Sequence, residues 1–178
     1  MPGDDWTGTS TPYIKSGQGD AWGKEAAQQG RSGTQRILAA GEARAPQAVT
    51  NALCLPATEG VIMRERLILL DEKPIEVAHS YWPKRIADGT ALAKTGRIRG
   101  GAVTLLAELG YRPGTVTEEV STRPATEREV EVLQLTDDNE WVLTLTRTIS
   151  TPDGFPYEVS VMVNPGRVGR LHYSMKVD

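Results

Sequence analysis

Val61-Ile62-Met63-Arg64-Glu65-Arg66-Leu67-Ile68-Leu69-Leu70-Asp71-Glu72-Lys73-Pro74-Ile75-Glu76-Val77-Ala78-His79-Ser80-Tyr81-Trp82-Pro83 reads as a strand, a tight turn and a returning strand. Side chains alternate between the faces of a strand, so Arg64 and Arg66 share one face. The turn decides whether Glu76 joins them. A three-residue loop, Asp71 to Lys73, sets Ile68 opposite Glu76, Arg66 opposite Ala78 and Arg64 opposite Ser80. A two-residue loop, Glu72-Lys73, slips the register by one and sends Glu76 to the other face.

Trp141 to Asn164 repeats the plan. Trp141 to Ile149 alternates as a strand. Pro152-Asp153-Gly154 predicts a type I turn with Gly154 left-handed, which makes a three-residue hairpin loop. Phe155 to Val163 returns. That loop pairs Thr148 with Glu158 and Thr146 with Ser160, giving a polar face of Thr144, Thr146, Thr148, Glu158 and Ser160. Leu143, Leu145, Ile149, Tyr157, Val159 and Val161 then make the apolar face. By analogy the first hairpin takes the three-residue loop, with Arg64, Arg66 and Glu76 on one face. Pro74-Ile75-Glu76 matches Pro156-Tyr157-Glu158, and Leu53-Cys54-Leu55 matches Leu133-Gln134-Leu135. The chain reads as an internal duplication of helix plus hairpin, with one polar face from each hairpin turned toward a shared cleft.

The chain has 178 residues, enough for one domain with a sizeable core. Twenty basic residues stand against 23 acidic ones, a net charge of −3, which argues against a large nucleic-acid footprint. A single cysteine, Cys54, excludes an intrachain disulfide and fits a reducing cytoplasm. With only His79 and His172 beside it, the chain lacks the ligands of a standard structural zinc site. No apolar run reaches the roughly 20 residues of a membrane span, and no secretory signal is visible.

Residues 1–33 are rich in Gly, Ser, Thr and Gln and read as a flexible or docking arm, with Tyr13-Ile14 and Trp22 apolar enough to dock. Residues 34–178 form the body. Thr34 to Ala45 is an edge strand and Pro46 to Leu53 a short helix. After the first hairpin, Lys84 to Arg99 shows no clear period. Gly100-Gly101 opens a helix, Ala102 to Leu109, closed by Gly110. Tyr111 to Arg123 has strand character. Thr126-Glu127-Arg128-Glu129 is a capping box that starts a helix to Leu133. The second hairpin follows, and Arg170 to Val177 offers a last strand. The fold class is α+β, an antiparallel sheet with helices on one face.

Two guanidiniums one strand repeat apart make a fork for a carboxylate, phosphate or other anion. Spacing alone fits a solvated strand face as readily. Glu76 and Glu158, at matching places, can accept from hydroxyl or amine groups, or serve as partners of the arginines. Gly100-Gly101 at a helix start can admit an anion to the backbone amides or be an ordinary turn. His79 falls on the face opposite the arginines. Cys54, in an apolar run, reads as inert. No P-loop, nucleophile elbow, dinucleotide fingerprint or His-Glu-x-x-His motif occurs, and no cofactor is called for.

Taken in order, these pieces resemble the UTRA domain, the effector-binding module of the HutC branch of GntR-type bacterial transcription regulators. The pieces are Arg64-Glu65-Arg66, Pro74-Ile75-Glu76, Ser80-Tyr81-Trp82-Pro83, the helix after Gly100-Gly101, Thr126 to Leu135, Asp153-Gly154 with Pro156 and Glu158, and Leu171-His172-Tyr173. The resemblance implies a chorismate-lyase-like antiparallel sheet with flanking helices, a homodimer, and a small-molecule site. Its lining would be Arg64, Arg66, Glu76, Ser80, Tyr81, Gly101, Thr146 and Glu158, with an anionic or polar metabolite as ligand. Two positions depart from the sugar-phosphate-sensing members. Gly101 replaces a hydroxyl residue at the helix start, and Asn164-Pro165-Gly166-Arg167 replaces an aromatic-arginine motif. Residues 1–33 are too few and too glycine-rich for a winged helix-turn-helix, so DNA would be reached through an absent or partner domain. A chorismate-lyase-like enzyme on a small anionic substrate is the alternative, because such chemistry needs mainly an anion-binding pocket.

Overall fold

A computed structural model describes residues 10–17, 19–56, 58–136 and 140–173. Six strands form one antiparallel sheet: β1 Gly33–Ala43, β2 Val61–Leu70, β3 Lys73–Pro83, β4 Thr115–Pro124, β5 Trp141–Ser150 and β6 Pro156–Pro165, in the order β1-β2-β3-β6-β5-β4. The helices are α1 Thr11–Ile14, α2 Ala21–Gln28, α3 Gln47–Ala52, α4 Lys84–Ala87, α5 Gly101–Glu108 and α6 Glu127–Val132, with a 3-10 turn at Ala91–Ala93. Of the expected last strand, residues 174–177 lie outside the described residues. Leu171 makes an isolated bridge and packs on Ala78, Leu145 and Met162.

The duplication is wider than a helix and a hairpin. Strand, helix and hairpin occur twice, as β1-α3-β2-β3 and β4-α6-β5-β6, and the sheet order is symmetric about the β3/β6 junction. The helix ends match in detail. Cys54 and Gln134 both sit at φ 52°, a left-handed cap that lets Leu55 and Leu135 donate back to the carbonyls of Thr50 and Val130 at 2.9 Å. That cap leaves Cys54 exposed. The predicted capping box forms at Thr126 and Glu129.

The helices cover both faces of the sheet rather than one. On one face α3 sets Val49 and Leu53 against Val61, Tyr81 and Val159, while Leu133 and Leu135, at the end of α6, pack on Leu67, Val77 and Val163. Arg128 of α6 donates to both oxygens of Glu65 at 2.7 and 2.8 Å, and His79 lies 3.3 Å from the same carboxylate. On the other face Leu106 of α5 and Ile86 of α4 pack on Ile62, Trp82, Ile149 and Tyr157. Trp22 and Ala26 of α2 close on Ile68, Leu70 and Ile75, and the indole of Trp22 donates to the carbonyl of Leu69 at 3.0 Å. Helix α2 thus docks on the sheet.

Both hairpins carry a β-bulge one residue before their glutamate, and the bulges set the registers. The first turn is a two-residue loop, Asp71-Glu72, with φ 48° and 66° at its two residues, which pairs Leu70 with Lys73. The expected three-residue loop is absent. Ile75 then bulges, so Ile68 meets Glu76, Arg66 meets Ala78 and Arg64 meets Ser80. The expected partners are reached by another route. In the second hairpin the turn is the one predicted: Gly154, at φ 87°, donates to the carbonyl of Thr151, and Thr151 pairs with Phe155. Tyr157 bulges in turn, so Glu158 faces Ile149 and Ser160 faces Arg147. The predicted pairs Thr148–Glu158 and Thr146–Ser160 do not form.

Candidate functional site

Directly opposed residues of antiparallel strands present their side chains on one face. Following the pairs across the sheet gives one row of Arg64, Ser80, Ser160, Arg147 and Glu118, and a neighbouring row of Arg66, Ala78, Met162 and Leu145. Glu76 and Asn164 lie beyond the second row, and Glu158 and Trp82 beyond the first. Arg64, Ser80 and Arg147 of the first row and Arg66, Met162 and Leu145 of the second floor a cavity of about 540 Å³, roofed by residues from α1, α2 and the start of α5.

Burial dictates the electrostatics of this floor. Glu158 is almost fully buried and has both oxygens engaged, by the Trp82 indole N–H at 3.0 Å and by the Ser160 hydroxyl at 3.0 Å. The hydroxyls of Ser80 and Ser160 lie 2.9 Å apart, and Arg66 Nη2 makes a long 3.4 Å contact to Ser80 Oγ. Burial pushes the Arg66 guanidinium below the ordinary arginine range, while Glu76 and Glu158 act to keep it charged. Glu76 accepts from Asn164 Nδ2 at 3.2 Å, and the same amide donates to the carbonyl of Ile75 at 3.0 Å. Burial raises the Glu76 carboxyl above its usual range, although Asn164, Arg66 and Arg147 pull it back.

Arg64 and Arg66 differ sharply. Arg64 points its guanidinium at the connector after β3, donating to the carbonyls of Ala91 at 3.4 Å, Gly96 at 2.6 Å and Lys94. It holds a loop, with burial and the nearby Arg66 lowering its pKa. Gly101 lines the cavity at φ 85°, beside Gly100 at φ 76°. Two consecutive left-handed residues suit glycine, so a hydroxyl residue at 101 would be strained here.

Of the residues expected at a small-molecule site, Arg64, Arg66, Glu76, Ser80, Gly101 and Glu158 line this cavity. Thr146 and Tyr81 do not. The Tyr157 bulge turns Thr146 to the opposite face, opposite Val161. Tyr81 alternates away from Ser80 and packs on Val49, Leu53 and Val159. Arg147 and Asn164, which were not among the expected residues, line the cavity as well. The signal for Arg147 was present, since it is a charged residue on the Leu143-Leu145-Ile149 side of β5.

Residues 28–167 match the UTRA domain. This chain belongs to the UTRA domain family. UTRA domains are the effector-binding domains of GntR-family transcription regulators and bind small molecules. An HTH-type transcriptional regulator of Streptomyces coelicolor is 33% identical over 137 residues, covering 75% of this chain and 51% of that protein. The chain thus spans about half the length of that curated relative. The crystal structure of a GntR-family transcriptional regulator superposes with a TM-score of 0.75 at 25% identity, over 87% of this chain and 63% of that one. The effector domain of PhnF from Mycobacterium smegmatis superposes with a TM-score of 0.73 at 17% identity, over 88% of this chain and 94% of that one, a likeness of fold. These relatives are regulators and not enzymes, so the lyase-like alternative falls away. No helix among the described residues is long and apolar enough to cross a membrane.

Proposed function

We propose that the cavity between the two hairpins is the effector site of this UTRA domain. Its effector is a small anionic or strongly polar metabolite. Occupancy modulates DNA binding by a winged-helix domain, linked to this chain or partnered with it. The protein works in the cytoplasm as a homodimer of the HutC type. Residues 34–178 are the effector-binding body, and residues 1–33 are an arm whose helix α2 docks over the site.

The observation that carries this reading is the convergence of Arg66, Glu76, Ser80, Gly101 and Glu158 on one cavity of about 540 Å³. That volume suits a metabolite. Charged and hydroxyl groups on an otherwise apolar floor fix orientation and supply specificity. A thermal-shift screen of amino acids, organic acids, sugar acids and sugar phosphates tests the proposal. A ligand at about 100 times its dissociation constant adds about 2.7 kcal/mol. For a chain of this length that raises the midpoint by about 5–10 °C. A complete screen without a shift would mean a vestigial pocket and would refute the effector site.

A further inference from the structure

The pseudo-twofold places a second arginine in correspondence with Arg66. Ile68 opposes Glu76 and Ile149 opposes Glu158, so the pair Arg66–Ala78 corresponds to the pair Arg147–Ser160. Arg66-Leu67-Ile68 and Arg147-Thr148-Ile149 are therefore equivalent strand positions. Both arginines line the cavity, and each lies within electrostatic reach of Glu76. Arg64 has no such counterpart, since its equivalent position holds Leu145.

Arg147 is only 6% exposed, and its Nε has no hydrogen-bond partner among the described residues. Among the described residues it forms no ion pair. Its cross-strand neighbour Glu118 accepts from the Tyr173 hydroxyl at 2.8 Å, and the other oxygen of Glu118 is buried without a partner. The cavity carboxylates are turned elsewhere, Glu158 to Trp82 and Ser160, and Glu76 to Asn164. A buried guanidinium N–H without an acceptor is rare and costly. A ligand acceptor would complete it.

We propose that Arg147 is the anion anchor of the effector site. With Arg66 it clamps one oxyanion group of the effector, a carboxylate or a phosphate, above the Ser80–Ser160 pair, while Arg64 only holds the connecting loop. Ile68, Leu145, Met162 and Leu171 line the same cavity, so the ligand's body beyond the oxyanion is partly apolar. The inference rests on the effector-site reading above and adds the residue and the head group.

The test uses the full chain as wild type, Arg147→Met, Arg147→Lys and Arg64→Met. Its first readout needs no ligand. Replacing an unpartnered buried guanidinium by an apolar side chain leaves the urea midpoint unchanged or raises it. A fall as large as that of Arg64→Met, or failure of Arg147→Met to fold, means that the protein itself satisfies Arg147 and overturns the proposal. The second readout titrates inorganic phosphate, hexanoate and the best hit of the screen, followed by the fluorescence of Trp22 and Trp82, which line the cavity. Arg147→Met should weaken the bound oxyanion about 10- to 100-fold. Arg147→Lys should fall between it and wild type, because the charge remains and the fork is lost. Comparing phosphate with hexanoate tells which head group the clamp prefers. Equal affinity in wild type and Arg147→Met overturns the anchor and leaves the effector site standing. Absence of any binding to wild type refutes the effector site, and the anchor with it.

Discussion

Arg64 and Arg66 are two residues apart on one strand face, yet the fold gives them different tasks. The Arg64 guanidinium ties the connector after β3 to the sheet through the carbonyls of Ala91, Lys94 and Gly96. Arg64→Met should therefore lower stability by about 2–3 kcal/mol, because the buried Arg64 side chain loses its charge-assisted hydrogen bonds to the connector; urea unfolding reads this directly. Glu76 offers a test of a different kind. Its carboxyl is raised from an ordinary value of 4.5, first by burial. A carboxyl with a raised folded pKa binds more protons folded than unfolded. Its contribution to stability is then full below the unfolded pKa and declines as pH rises through the folded one. Glu76→Gln should gain on wild type from about pH 4.5 upward and then level off. Urea midpoints across that range decide the matter, and a difference that stays flat would contradict it.

At the scale of the element, the hairpins show how a turn and a bulge combine into a register. In the first hairpin the turn is shorter than expected and the Ile75 bulge restores the expected partners. In the second the turn is as expected and the Tyr157 bulge displaces them. Neither bulge is legible locally. Both follow from where the bulged residue packs, Ile75 against Trp22 and Tyr157 in the cluster with Ile62, Trp82 and Leu106. The Asp71-Glu72 turn also stores strain. Asp71 is compensated, since its carboxylate accepts from the Ser32 backbone N–H at 2.8 Å and Arg31 Nε at 2.7 Å. Glu72 is exposed at φ 66° with no such tie among the described residues. Glu72→Gly should relieve about 1 kcal/mol of left-handed strain, raising the thermal midpoint by about 2–4 °C. An unchanged or lower midpoint in a calorimetric scan would show that the turn is not strained there.

For the whole molecule, the decisive arrangement is the pseudo-twofold sheet with α1 and α2 laid across one end of the cavity. Trp22 is 6% exposed, and Gly33 of β1 sits so close beneath it that a β-carbon there would fall 2.7 Å from its Nε1. Trp22→Ala should cost about 3–5 kcal/mol through the hole left above Ile68 and Ile75. It should also open one wall of the cavity. Thermal unfolding checks the first effect. Faster association of the screened ligand in stopped flow checks the second. A variant as stable as wild type would mean that α2 rests on the sheet without contributing to the core.

Much of this was written locally. Alternation defined the strands, Pro152-Asp153-Gly154 its turn, Thr126 and Glu129 their capping box, and the two Pro-x-Glu segments the duplication. These signals act within one turn or one hairpin, where sterics and hydrogen bonds between near neighbours dominate. The site depended on more distant contacts. The Tyr157 bulge, set by packing against a distant element, decided that Arg147 and not Thr146 faces the cavity, and the Ile75 bulge kept Glu76 on the face of Arg66. The path of the connector decided that Arg64 holds a loop. Docking of α2 decided what roofs the floor. A one-residue shift in a strand exchanges its faces, so tertiary packing determined which polar side chains meet, while the local sequence determined that two such hairpins would form.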